Sequence, residues 1–170
     1  MRNADFFYII VFPQERTMPK LAIASDHAGY ALKEYLKPLL EKLGWQYDDF
    51  GPHSSEPVDY PDYGFPVAEE VARGKYDRGI LICGTGIGMA CVANKVRGVR
   101  AALCTSPELA ELSRRHNDTN VLTMGGRTTP FELAERIVRV WLNTSFEGGR
   151  HKRRVDKITS YEKSCIRRKP

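Results

Sequence analysis

Much is missing from this 170-residue chain, and each absence closes off a class of function. No apolar run approaches the roughly 18–20 residues that a bilayer-crossing helix needs. The densest early run, Phe6 to Phe12, follows Asp5 and lacks a small-residue cleavage site, so it does not read as a secretory leader. The four cysteines, Cys83, Cys91, Cys104 and Cys165, form no CxxC pair. That spacing argues against a zinc site and fits a reduced, cytoplasmic protein. Cys91 and Cys104 have apolar neighbours and are expected to be plain core residues. No internal repeat or low-complexity segment is present. The net charge of +5 is concentrated at 150–154 and 167–169, yet residues 150–160 contain no aromatic. A nucleic-acid surface would interleave the two, so a small phosphorylated ligand is the expected partner for 150–154. The final basic residues read as a solvated tail.

What is present is concentrated in Arg78–Met89. Ile80, Leu81 and Ile82 read as a buried strand that ends at Cys83. Glycines follow at 84, 86 and 88, and a helix of small residues begins near Met89. A thiol at that junction sits against a helix N-terminus, where backbone N–H groups and the helix dipole favour anions, thiolate and phosphate included. The spacing is GxGxG after a third strand. The dinucleotide fingerprint is GxGxxG after a first strand, so a nucleotide cofactor is weakly supported.

Strand and helix signals alternate through residues 20–142. Leu21–Ser25 reads as a strand. Leu32, Leu36, Leu39, Leu40 and Leu43 recur at helical spacing, and Gly44 closes that helix. Further strands are expected at Trp45–Phe50, up to Ile82, at Val99–Leu103 and at Val121–Met124. A helix is expected over 62–73 with Pro66 in its first turn. Ser106-Pro107 starts another helix, with the serine as cap and the proline at its first position. Leu133, Ala134, Ile137, Val138 and Trp141 form an amphipathic stripe, and a polar helix is expected over 147–162. Repeated βα units predict a three-layer α/β/α sandwich with a five-stranded parallel sheet, Rossmann-like, and right-handed crossovers. Residues 18–162 form this domain. Residues 1–17 stand apart as an N-terminal extension, either a mis-called start upstream of Met18 or an added edge strand, and 163–170 form a basic tail.

Ligands in such sheets bind beyond the carboxyl ends of the strands. Asp26-His27 after strand one and Cys83-Gly84-Thr85 after strand three fall on that edge. A thiolate there could move a proton between adjacent carbons of a sugar, with the 84–88 amides and the Thr85 hydroxyl as donors to the developing oxyanion. The same residues could equally form a packed cysteine in a tight turn. Asp26-His27 could be no more than a cap and a turn. His116-Asn117-Asp118 could be a helix C-terminus, and its short link to strand five does not return it to the binding edge unless a second subunit is involved. Arg150 and Arg154, four apart on one helical face, could grip a phosphate or simply be solvated. Arg127, after Gly125-Gly126, could join them.

Five segments in order, Ser25–Gly29, Asp59–Pro61, Ile82–Gly88, Arg115–Asn120 and Glu147–His151, together resemble the type B ribose-5-phosphate isomerases. That family also includes galactose-6-phosphate and allose-6-phosphate isomerases. The resemblance covers about residues 18–162. It implies interconversion of ribose 5-phosphate and ribulose 5-phosphate in the pentose phosphate pathway, with no metal and no organic cofactor. By position, it implies Cys83 as the base and Thr85 with the amides of Gly84, Gly86, Ile87 and Gly88 as holders of the enediolate. It implies His116 as the ring-opening group and Asp26 near the ring hydroxyls. His27, Arg127, Arg150 and Arg154 would surround the phosphate, and Tyr60 and Asn117 would line the sugar pocket. It further implies a homodimer or homotetramer with shared active sites, and no nucleic-acid or membrane partner. A hexose-6-phosphate isomerase and a non-catalytic phosphosugar-binding protein are the alternatives.

Overall fold

A computed structural model describes residues 18–166. The extension before Met18 and the end of the basic tail lie outside the described residues. The elements run β1 (Lys20–Ser25), α1 (Tyr30–Lys42), β2 (Gln46–Asp49), α2 (Tyr60–Ala72), β3 (Arg78–Cys83) and α3 (Ile87–Ala93). They continue with β4 (Ala101–Leu103), α4 (Pro107–Asn117), β5 (Val121–Gly125), α5 (Phe131–Asn143) and α6 (Gly149–Ile166). All five strands are parallel, in the order β2-β1-β3-β5-β4. The expected sandwich is therefore the observed one.

Side-chain alternation along the strands builds the two apolar layers. Leu21, Ile23, Ile80, Ile82, Leu122 and Met124 face α1, α4 and α5. Ala22, Ala24, Leu81, Cys83 and Val121 face α2 and α3. The chain leaves β1 toward β2 on one side and toward β3 on the other. The crevice between the carboxyl ends of β1 and β3 is thus the switch point of the sheet, where such folds leave room for a ligand.

Two expectations need correction. Pro66 stands in the middle of α2, not in its first turn, which Pro61 occupies. The helix tolerates it because both Pro66 and Asp62, whose carbonyl loses its i+4 donor, are on the exposed face, where water can serve that oxygen. Cys91 is exposed, while Cys104 is buried as expected. α3 has only seven residues and buries Met89, Val92 and Ala93, so Cys91 points outward from that stripe. The helix boundaries at 60–72 and 149–166 also differ from the expected 62–73 and 147–162 by a few residues.

One buried charge ties the frame together near the switch point. Lys33 of α1 is fully buried. Its ammonium donates to Asp49 Oδ1 at 2.6 Å, Asp49 Oδ2 at 2.8 Å and the Pro52 carbonyl at 2.7 Å. The Gly51 N–H also donates to Asp49, and the Ser25 N–H donates to the Gly51 carbonyl. The turn after β2 is thereby fastened to the end of β1. Burial pushes the Asp49 carboxyl up, but the bonds from Lys33, Gly51 and Lys37 outweigh it and hold the carboxyl below its ordinary value. Asp49→Ala leaves the buried ammonium with only the partly exposed Glu34 carboxylate, 3.4 Å away, as counter-charge and is expected to cost about 3 kcal/mol in urea unfolding at pH 7. Because the folded carboxyl is the stronger acid, the pairing stabilises above the usual carboxylate range, about pH 4, and fades below it. The gap between wild type and variant should therefore shrink as the pH falls below about 4.

Candidate active site

The turn after β3 builds the floor of a cavity of about 240 Å³ at the switch point. Asp26, His27, Ala28, Tyr60, Cys83, Gly84, Thr85, Gly88 and Arg127 line it. A larger hollow of about 720 Å³ lies against the β2 edge, but its lining of Met18, Lys20, Glu41, Trp45, Gln46 and Tyr47 offers no thiol, imidazole or arginine.

Cys83 ends β3 and is 4% exposed. Its sulfur accepts the Gly86 backbone N–H at 3.2 Å. Gly86 adopts φ +80, and a Cβ there would sit 2.7 Å from the Met124 carbonyl carbon, so glycine is what lets this turn pass so close to β5. The sulfur thus lies against the amide of Gly86, the residue that immediately precedes α3. Thr85 is exposed at the rim, and its hydroxyl accepts the Ile87 N–H at 3.4 Å. The Tyr60 ring lies so close over Gly88 that a Cβ there would approach it to 2.9 Å.

The other wall comes from the end of β1. Asp26 is buried, and its Oδ1 accepts the Gly29 N–H at 2.9 Å. His27 Nδ1 lies 3.3 Å from both the N–H and the carbonyl oxygen of Val58, which anchors the 51–59 loop to the cavity. Arg127 is exposed at the rim. Its backbone N–H donates to the Gly84 carbonyl and the Gly126 N–H to the Cys83 carbonyl, which locks the β5 turn onto the β3 turn. Gly86 supports the floor from beneath, and Ile87 is exposed beside it.

Four expected site residues lie elsewhere in the chain. His116 and Asn117 end α4, and Arg150 and Arg154 lie in the first turns of α6. α4 ends just before β5 begins, so this group sits at the opposite edge of the sheet from Cys83, separated by the length of β5, roughly 17 Å. It forms a cluster of its own. The His116 and His151 rings stack with centroids 4.1 Å apart and planes 1° from parallel. Glu147 Oε2 lies 4.0 Å from His116 Nε2, and Glu147 Oε1 lies 3.9 Å from His151 Nε2. Arg115 holds Glu147 at 3.0 Å and keeps its carboxyl below the usual range. Burial, with the adjoining His116 and Arg150, holds the His151 imidazole below its ordinary value. The ligand-type atoms of His116, Glu147 and His151 fall within 4.8 Å of one another. A cation there would have to displace Arg115 from Glu147 and Arg150 from His151 Nε2, so the group reads as a satisfied polar cluster. Sequence reasoning passed over His151 and Glu147 as residues with chemistry of their own. Their position inside the Glu147–His151 segment was the available signal.

Gly86→Ala should twist the amide away from the sulfur. Alkylation of Cys83 by iodoacetamide, followed by peptide mass mapping at neutral pH, is expected to slow by about tenfold or more as the thiolate loses its donor. An unchanged rate would show that this amide does not activate the sulfur.

Comparison with known proteins places this geometry. Residues 21–158 match the family described as Ribose/Galactose Isomerase. Ribose-5-phosphate isomerase B of Escherichia coli is 50% identical over 145 residues, which cover 85% of this chain and 97% of the relative. The structure of Clostridium thermocellum ribose-5-phosphate isomerase B superposes with a TM-score of 0.83 at 52% identity, covering 85% of this chain and 98% of that one. The Mycoplasma genitalium ribose-5-phosphate isomerase B structure, which carries bound ribulose-5-phosphate, gives a TM-score of 0.82 at 44% identity, covering 85% and 96%. With its five motifs in order and its thiol at the switch point, this chain belongs to the ribose/galactose isomerase family.

Proposed function

We propose that this protein interconverts ribose 5-phosphate and ribulose 5-phosphate in the cytoplasm, as a step of the pentose phosphate pathway, with Cys83 as the base. The observation that carries the reading is the Cys83 sulfur, hydrogen-bonded to the Gly86 amide on the floor of the switch-point cavity. The identity to ribose-5-phosphate isomerases B supports the choice of substrate.

In the open-chain aldose, the thiolate takes the proton from C2, and the electron pair moves to form the C1–C2 double bond of the enediolate. The negative charge on O1 is met by the 84–88 amides and by the Thr85 hydroxyl. The proton returns at C1 while the proton on the C2 hydroxyl passes to O1, so nothing is gained or lost overall. Asp26 approaches the ring hydroxyls, Tyr60 and Asn117 bound the sugar, and His27, Arg127, Arg150 and Arg154 take the phosphate. His116 opens the furanose ring.

These roles need two chains. A pentose phosphate is much shorter than β5, so it cannot reach Cys83 and the His116–Arg150 edge of one chain together. A second copy brings its His116, Asn117, Arg150 and Arg154 to the cavity of the first. Ile87, Leu109 and Leu112, all exposed beside these elements, offer apolar surface for such an interface.

Cys83→Ala should reduce kcat by about 10²–10⁴-fold while ribose 5-phosphate, followed by calorimetry, still binds. Undiminished turnover removes Cys83 as the base. A sharper check separates the two edges. Cys83→Ala and His116→Ala proteins, each nearly inactive, should regain about a quarter of wild-type activity when unfolded, mixed equally and refolded, because half of the random dimers hold one intact site. A mixture no better than its parents rules out shared sites.

A further inference from the structure

We propose that His151 is a positioning residue that joins the His116 imidazole to the Arg150 guanidinium. The inference rests on the roles given above to His116 and Arg150, and it adds a residue that those roles do not include.

His151 lies in the first turn of α6 and is 4% exposed, although its neighbours Arg150 and Lys152 are exposed. Burying an imidazole on a polar helix is costly unless its nitrogens find partners and its faces are packed. One face is covered by His116 at 4.1 Å, with the rings parallel to within 1°. The Arg150 Nε–H points to His151 Nε2 at 3.2 Å. A guanidinium nitrogen can only donate, so Nε2 must accept, and the ring proton of the neutral imidazole must sit on Nδ1. His151 therefore does two separable things. Its flat face fixes the plane of His116, and its Nε2 fixes the torsion of Arg150.

Both tasks matter for function in the same way. His116 ends α4, where a side chain is otherwise held by its own short stem. Arg150 is a long side chain at the start of α6, directly after two glycines in positive-φ conformations, Gly148 and Gly149, the second of which begins the helix. Left alone, each would lose rotamer freedom on meeting the substrate. Contact with one rigid ring removes part of that cost beforehand. Glu147 closes the cluster, within 4.0 Å of both imidazoles and tied to α4 through Arg115. The ring-opening group and the phosphate grip are thus set by a single unit, so their separation does not depend on either side chain alone.

Two substitutions split the tasks. His151→Phe keeps a flat ring against His116 and loses the acceptor. His151→Gln keeps an acceptor oxygen at about the place of Nε2 and loses the ring. For His151→Phe, KM for ribose 5-phosphate and the inhibition constant for inorganic phosphate should both rise by about 3–10-fold, with kcat changed less than about twofold. For His151→Gln, kcat should fall by about tenfold with KM nearly kept. A residue that merely fills space would give parallel losses in both variants, and that result overturns the proposal. Wild-type kinetics in both overturn it as well. Should the variants fail to fold, nitrogen NMR of the intact wild-type enzyme decides: His151 protonated on Nδ1 supports the proposal, and protonation on Nε2 sinks it. Failure of the underlying roles is distinguishable. In that case His116→Ala leaves kcat intact, or Arg150→Ala leaves phosphate inhibition intact, whatever the His151 tautomer.

Discussion

The site depends on one turn, the three residues Gly84, Thr85 and Gly86 between the last residue of β3 and the first of α3. A strand that ends in a thiol would ordinarily send the chain away from it. Here the backbone doubles back at once, because Gly86 takes a left-handed conformation against the β5 backbone. At that turn the Gly86 amide meets the sulfur, and α3 begins directly after it, with Gly88 of its first turn lining the same cavity. The neighbouring turn after β5 locks onto it through the bonds from Gly126 to Cys83 and from Arg127 to Gly84. The place of the sulfur and of the amide bonded to it is therefore set by main-chain geometry. Side-chain motion cannot easily disturb them.

The rest of the cavity is built so as to hold that turn in register with the end of β1. Asp26 and His27 follow a strand fully embedded between β2 and β3. The loop opposite them is fastened by a buried ammonium and by the contact of His27 with Val58. A lysine buried near a helix N-terminus opposes the helix dipole, and its desolvation is unfavourable. Its retention here makes sense as a fixed joint between α1, β2 and the loop that rims the site. An apolar residue could fill the same volume but could not bind Asp49 and the Pro52 carbonyl together.

Much of this is legible in the sequence, for identifiable reasons. Apart from the polar β2, the strands are short, apolar and flanked by glycine or polar residues, so their alternation with helices and the edge that carries Asp26 and Cys83 follow from pattern alone. The Ser106-Pro107 helix start is also local, and Ser106 does accept the Leu109 N–H. What pattern reading misses is set by distant partners. Pro66 looks like a helix start until the exposed face of α2 shows that the unbonded carbonyl costs little. Cys91 looks buried by its neighbours' character, but a seven-residue helix has room for only one buried stripe. Lys33, Glu147 and His151 look like ordinary polar positions. Their significance lies in contacts with Asp49, Arg115 and His116, which no spacing rule predicts.

The separation of His116, Arg150 and Arg154 from Cys83 is the feature that says most about how such a site could work. A thiolate base and a cluster of arginines on the same wall would attract each other, and a salt-bridged sulfur would be a weaker base, blocked from its substrate. Placing His116, Arg150 and Arg154 at the opposite edge of the sheet leaves Arg127 as the one arginine that lines the cavity with Cys83. On the function proposed above, the two halves would meet through assembly, with the substrate between them and its phosphate met by guanidinium groups from both sides. Under that proposal, the side chains of the cationic edge would need ordering within their own chain, since no residue of its cavity is near enough to order them. The stacked imidazoles, the carboxylate bound to Arg115 and the guanidinium anchored on His151 supply that order from within α4, α6 and the segment between α5 and α6.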